Sequence, residues 1–181
     1  VKWQLIAALA IPAAAGSCIA VGSPLIFAAD YWPALPVTGI LLAGQVAYGL
    51  YLIPMNYLTP TAGLPTYSAL ASGAGAVFLL GSILLLGNRY GAVGAAIATT
   101  AAYLSMALVA AVLVLRLRLD IAWSVWLANW MAMAMAGISV LASIASLMAS
   151  PTSRLTWVWA GISAATVLCA IKLTTNPRRG I

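Results

Sequence analysis

Long apolar runs, broken by short polar or Pro/Gly-rich segments, organise this chain from end to end. A transmembrane helix needs roughly 20 mostly apolar residues. Six stretches meet that: about Trp3 to Ala28, Pro36 to Tyr57, Thr66 to Gly87, Ala92 to Leu115, Ile121 to Ala149 and Leu155 to Leu173. The breaks are Asp30-Tyr31-Trp32-Pro33, the loop Thr59 to Pro65, the tight turn Asn88-Arg89-Tyr90-Gly91, Arg116 to Asp120, and Ser150 to Arg154. Ala107 to Leu115 is continuously apolar, and Ala132 to Ala149 is broken only by the small residues Gly137, Ser139, Ser143 and Ser146, with no period-two alternation. Outer-membrane strands instead alternate with period two. Without water, such runs satisfy their backbone only as helices. The expected fold is an all-α polytopic membrane bundle of about six transmembrane helices.

Composition agrees. Of 181 residues, 65% are hydrophobic and 6% charged, and mean hydropathy is +1.09. Soluble domains carry roughly a quarter charged residues. The net charge of +6 comes from Lys and Arg scattered singly at the ends of apolar runs. There is no basic stripe, which argues against a nucleic-acid partner. Their distribution orients the bundle by the positive-inside rule. With the N-terminus in the cytoplasm, Lys2, Arg116, Arg118, Lys172, Arg178 and Arg179 lie inside, and Arg89 and Arg154 outside. Both termini are then cytoplasmic. Trp3, Tyr57, Tyr67, Trp123 and Trp126 fall at the inner interface, and Tyr31, Trp32, Tyr90, Trp157 and Trp159 at the outer one. Tyr48, Tyr51, Tyr103 and Trp130 fall deeper. Cys18 and Cys169 sit inside apolar runs and read as small buried hydrophobes, too few for a disulfide framework or a metal site. Ala13 to Cys18 echoes a lipoprotein cleavage site, but the run to Ala28 exceeds a signal h-region.

The absences limit chemistry. The chain has no His, and its two acids, Asp30 and Asp120, belong to opposite faces of the bilayer, roughly 30 Å apart. General acid–base catalysis needs groups within reach of one substrate, so an enzyme is not expected, and neither a cofactor nor a metal is implied. No ionisable residue is expected at the midplane, where ion-coupling groups usually stand.

Uncharged polar residues are the candidates that remain. Gln45, Tyr48 and Asn56 share one face of the second helix at the 3.6 period, with Leu52 between them. Thr99 and Tyr103 share a face of the fourth. A polar face points to a neighbouring helix or to a water-filled cavity, and the sequence leaves both open. Asn129 and Trp130 could contribute, although core packing accounts for them as well. Pro12, Pro24 and Pro54 each remove a backbone bond, giving either static kinks or the helix breaks that transporters use in gating.

The segment Arg89-Tyr90-Gly91-Ala92-Val93-Gly94-Ala95-Ala96-Ile97-Ala98-Thr99-Thr100 has a plain packing reading. Gly91, Ala95 and Thr99 recur every fourth residue, with Gly94 and Ala98 beside them, so that backbones can approach closely. The same segment, with Ala29-Asp30-Tyr31-Trp32-Pro33-Ala34 upstream, resembles the C-terminal half of the polysaccharide flippases of the multidrug, oligosaccharidyl-lipid and polysaccharide exporter superfamily. In that family a helix turns at a Tyr-Gly and re-enters as a G-x-x-G-A-A-x-A-T helix. The resemblance covers Asp30 to Val109. It implies that residues 1–119 correspond to the last four helices of the C-terminal lobe and 120–181 to an additional helix pair. It further implies a transporter flipping polyprenyl-diphosphate-linked oligosaccharide across a bacterial inner membrane for polysaccharide export, such as that of lipopolysaccharide or exopolysaccharide. Its partners would be membrane lipids, the lipid-linked oligosaccharide and a missing N-terminal lobe. The chain begins with Val1 and has six apolar segments against twelve or fourteen in relatives, so a piece of a longer protein is expected. The loop Thr61-Ala62-Gly63-Leu64-Pro65 lacks the basic residue common in relatives. The rival reading is a non-transporting membrane subunit or scaffold that assembles with a partner.

Overall fold

The computed structural model describes residues 2–61, 65–117 and 130–175. These form α1 (Lys2–Ile26), a 3-10 turn (Ala29–Ala34), α2 (Leu35–Thr61), α3 (Pro65–Ser82), a π-helical segment (Ile83–Gly87), α4 (Asn88–Arg116), α5 (Trp130–Met148) and α6 (Arg154–Thr175). There is no strand among the described residues. Five helical stretches are long and apolar enough to cross a membrane: Trp3–Ile26, Ala29–Asn56, Pro65–Arg116, Met131–Met148 and Arg154–Thr175. The protein is therefore a multi-pass membrane protein. The second helix continues to Thr61, past the expected break at Thr59. The expected residues Arg118, Asp120, Trp123, Trp126, Asn129, Arg178 and Arg179 lie outside the described ones.

The third stretch, of 52 residues, would be roughly 78 Å long if straight, more than twice the hydrocarbon thickness. It does not run straight. Gly91 has φ 54 and ψ −131, the geometry of the first central residue of a type II′ turn, which glycine alone adopts cheaply. Gly75 of α3 lies against Met106 and Ala102 of α4, and Leu86 against Gly94. Both pairings are centred near Tyr90, so α3 and α4 form an antiparallel hairpin. The turn expected at Asn88 to Gly91 is in place.

The chain divides into two compact units: Val1–Leu42 with Ser124–Ile181, and Ala43–Trp123. The sequence division after residue 119 follows from resemblance, and the packing does not test it.

In the first unit α1, α5 and α6 pack together with the start of α2. Gly16 sits against Ser143, and Ala20 and Leu147, four residues further along each helix, share one buried cluster with Leu35, so α1 and α5 run in the same direction. Small side chains make these seams. Ala132, Ala136, Ser139, Ser143 and Ser146 are buried on α5, and Thr156, Ala160, Ser163, Thr166 and Ala170 on α6. This three- and four-residue spacing brings backbones close where lipid supplies no hydrophobic drive. The hydroxyls do not cross the seam. Ser139, Ser143 and Ser146 donate to the carbonyls of Ala136, Val140 and Ser143 at 2.5, 2.8 and 2.6 Å. Ser163 Oγ is buried and has no partner among the described residues. Ser153 caps α6 by accepting from the Thr156 N–H at 3.3 Å.

α1 runs through Pro12 and Pro24. Pro24 cannot donate to the Ala20 carbonyl, and the Ser23 hydroxyl does so instead, at 2.9 Å. A backbone acceptor that the membrane could not hydrate is thereby satisfied. Cys18 and Cys169, expected to be buried, are both exposed. In a bilayer an apolar position need not face the protein interior, because lipid is an equally good solvent for it. The same holds for Val77, Leu84 and Leu85 of the hairpin, all more than 70% exposed.

Candidate functional site

The second unit holds a cluster of tyrosines at membrane depth. Tyr48 is the middle residue of α2 (Leu35–Thr61), and Tyr103 stands near the middle of the part of α4 that follows Gly91. Glycine brings the two helices together: a Cβ at Gly44 would lie 3.0 Å from Thr100 Oγ1 and 3.3 Å from Thr100 Cα. One turn along, the Tyr48 and Tyr103 rings meet with centroids 5.1 Å apart and planes tilted by 46°. Gly44 pairs with Thr100 and Tyr48 with Tyr103, so α2 and α4 run in the same direction, as a helix and the second arm of the hairpin after it must.

Tyr51 extends the cluster, with its ring 5.8 Å from that of Tyr48. It is buried, and its hydroxyl shares a hydrogen bond with Ser72 Oγ of α3 at 3.2 Å. Tyr48 and Tyr103 are half-buried, and neither hydroxyl hydrogen-bonds a described residue. In hydrocarbon an unpaired phenol is costly, so these two groups call for water or for a polar ligand.

Of the five path candidates, the structure brings Tyr48 and Tyr103 together. Gln45 and Asn56 are exposed on α2, with Leu52 between them also exposed. Thr99 donates to the Ala95 carbonyl of its own helix at 2.9 Å, so its hydroxyl is not offered to the tyrosines. Tyr51, noted in the sequence as a deep aromatic but not as a path candidate, joins the site with Ser72, which was not singled out. Tyr51 lies three residues beyond Tyr48, a spacing that helices use for neighbours. Ser72 shares a face with Ser68 four residues before it, but two serines amid alanine and glycine read equally well as small packing residues.

The packing motif takes a different form from the expected one. The buried face of α4 is Gly94, Ala98 and Ala102, while Ala95 is half-buried and Gly91 exposed with nothing within 4 Å of a Cβ. Gly91 serves the turn through its φ, and the space its Cβ would take is open. Gly94 allows a close approach: a Cβ there would run into the Leu86 carbonyl.

The site's polar atoms are phenols, hydroxyls and, at Gln45, an amide. Such groups exchange hydrogen bonds with hydroxylated molecules, and the aromatic faces offer stacking surfaces. No charge is placed there. Among the described residues no group of three or more His, Cys, Asp or Glu could hold a metal ion. Comparison with known families, with characterised proteins and with solved structures finds no match for this chain.

Proposed function

We propose that this chain is the C-terminal part of a flippase that moves polyprenyl-diphosphate-linked oligosaccharide across a bacterial inner membrane by alternating access. One observation carries the reading: the half-buried rings of Tyr48 and Tyr103 meet at the middle of adjacent helices, and neither hydroxyl has a partner among the described residues. A sugar meets both needs of that pair, a hydrogen-bond partner for the hydroxyls and a ring face for the aromatic planes. Gln45, one turn from Tyr48 and exposed, extends the polar wall, and Asn56 ends it. Counting the hairpin of α3 and α4 as two passes gives six, which returns the chain to its starting side. The Lys/Arg bias makes that side the cytoplasm. The second wall of the path comes from the N-terminal lobe.

The test is export of glycan in the full-length context. Tyr48→Phe and Tyr103→Phe keep the rings and remove the hydroxyls. Each lowers export by about tenfold with protein level unchanged, as expected for a lost hydrogen bond worth about 1.4 kcal/mol. Full export from both variants removes the tyrosines from the path and leaves the rival, a non-transporting membrane subunit.

A further inference from the structure

The tyrosine wall of the second unit stands far from any charge of that unit. Between Ala43 and Trp123 the charged residues are Arg89, Arg116, Arg118 and Asp120. Neither α2 nor α3 carries one. Arg89 lies at the hairpin turn, and Arg116 is the last residue of α4. Tyr103 is therefore roughly 20 Å along α4 from Arg116 and roughly 18 Å from Gly91 at the turn. What the wall presents instead is aromatic. The rings of Tyr103 and Tyr51 both lie against that of Tyr48, with centroids 5.1 and 5.8 Å from it. Gln45, exposed and one turn before Tyr48, adds an uncharged amide.

An aromatic face carries the negative part of the ring quadrupole. It accepts the C–H face of a sugar ring and repels a carboxylate. At mid-membrane a carboxylate also loses hydration, and no cation of this unit stands near enough to replace it. The phenols and the amide pair with sugar hydroxyls without charge on either side.

We propose, on the reading of this wall as part of a sugar path, that it takes uncharged sugar residues, hexoses and N-acetylated hexosamines, and rejects uronic acids. Tyr48, Tyr51 and Tyr103 set the preference by their faces, and Gln45 is the position where an added charge reverses it. The diphosphate of the carrier begins and ends its passage at headgroup level, where Arg116 and Arg89 stand.

The experiment is saturation-transfer NMR of the full chain in phosphatidylcholine nanodiscs at neutral pH, titrated with methyl β-glucoside, methyl β-glucuronide or methyl β-glucuronamide. The amide has the size of the acid without its charge. The wall belongs to this chain alone, so the titration needs no partner. The net charge of +6 favours the anion, so a preference for the neutral sugar cannot arise from it. A carboxylate at the middle of a bilayer is disfavoured by roughly a hundredfold, and half-burial reduces this to about tenfold. The expected result is glucuronide binding about tenfold weaker than glucoside, with the glucuronamide within about threefold of the glucoside. Tyr48→Phe combined with Tyr103→Phe weakens the glucoside by about tenfold or more. Gln45→Lys brings the glucuronide level with the glucoside. Equal binding of glucoside and glucuronide to the native chain, with both lost in the double tyrosine variant, overturns the inference and leaves the sugar path standing. A glucuronamide as weak as the glucuronide shows that size does the rejecting and overturns the inference too. Glucoside binding that is absent, or that the double variant leaves unchanged with helicity intact, overturns the sugar path and the inference with it.

Discussion

Three glycines of the helical hairpin receive the same perturbation, one methyl group, in three different surroundings. At Gly73 a Cβ meets nothing within 4 Å, and the backbone is helical. Gly73→Ala therefore removes only the conformational freedom of glycine and is expected to be neutral or stabilising by up to about 1 kcal/mol. At Gly91 space is equally free but φ is +54, and Gly91→Ala costs about 1–3 kcal/mol of backbone strain. At Gly94 φ is ordinary, but the new carbon runs into the Leu86 carbonyl, with Tyr90 Cβ 3.1 Å away. Leu86 lies in the π-helical segment and its carbonyl cannot rotate aside as a flexible side chain would. Gly94→Ala then costs about 1–3 kcal/mol, the usual scale of overpacking. The assay is thermal unfolding of the purified chain in one detergent. A chain of this length shifts by about 2–4 °C per kcal/mol. The order expected is Gly73→Ala at or above the native chain, with both other variants several degrees below. A Gly94→Ala protein as stable as the native chain would refute the close approach of Leu86. A stable Gly91→Ala would refute the turn geometry.

Two buried serines separate in the same assay. Ser23→Ala leaves the Ala20 carbonyl without its donor and is expected to cost about 1–2 kcal/mol, whereas Ser163→Ala removes a hydroxyl that has no partner among the described residues and is expected to be neutral or stabilising by about 1 kcal/mol. Equal losses would mean that the Ser163 hydroxyl is satisfied after all. Reporter fusions after Arg118 and at the C-terminus should read cytoplasmic, and fusions near Arg89 and Arg154 should read outside; a cytoplasmic reading at position 89 reverses the assigned orientation.

What could be read from the sequence follows from the solvent. Apolar length marks helices wherever water bounds them, and α1, α2, α3, α4 and α6 end within a few residues of the expected limits. The turn at Gly91 was equally legible, since two glycines and a Tyr-Gly stand where an apolar run becomes too long for one crossing. Which face of each helix is buried was not legible in the same way. In water the buried face is the apolar one, but here both lipid and protein are apolar, and polarity no longer separates them. Size does: Ala98 and Ala102 on α4, and Ser139 and Ser143 on α5, are buried because they are small. That signal lies in the sequence at three- and four-residue spacing, but Gly91 and Ala95 carry it just as strongly and are not buried. The partners of a face are less legible still. Tyr51 meets Ser72 and α1 lies beside α5 across long stretches of chain, and no local pattern records either pairing. Of the candidate site, Tyr48 and Tyr103 were visible as polar groups in apolar helices, and only the fold brings their rings together.

The serines of α5 have a mechanical consequence. Each uses its hydroxyl hydrogen within its own helix, so none of the three pins α5 to a neighbour by a directional bond. The helix is held there by shape alone, and dispersion between small groups varies gently with rotation about the axis. Tyr51 and Ser72 behave in the opposite way: their bond at 3.2 Å fixes both the height and the azimuth of α2 against α3, like a dowel in a joint. A serine seam is a bearing and a tyrosine–serine bond is a pin. Where a helix of this protein must turn or slide, the first arrangement yields by small increments, and the second holds until it breaks.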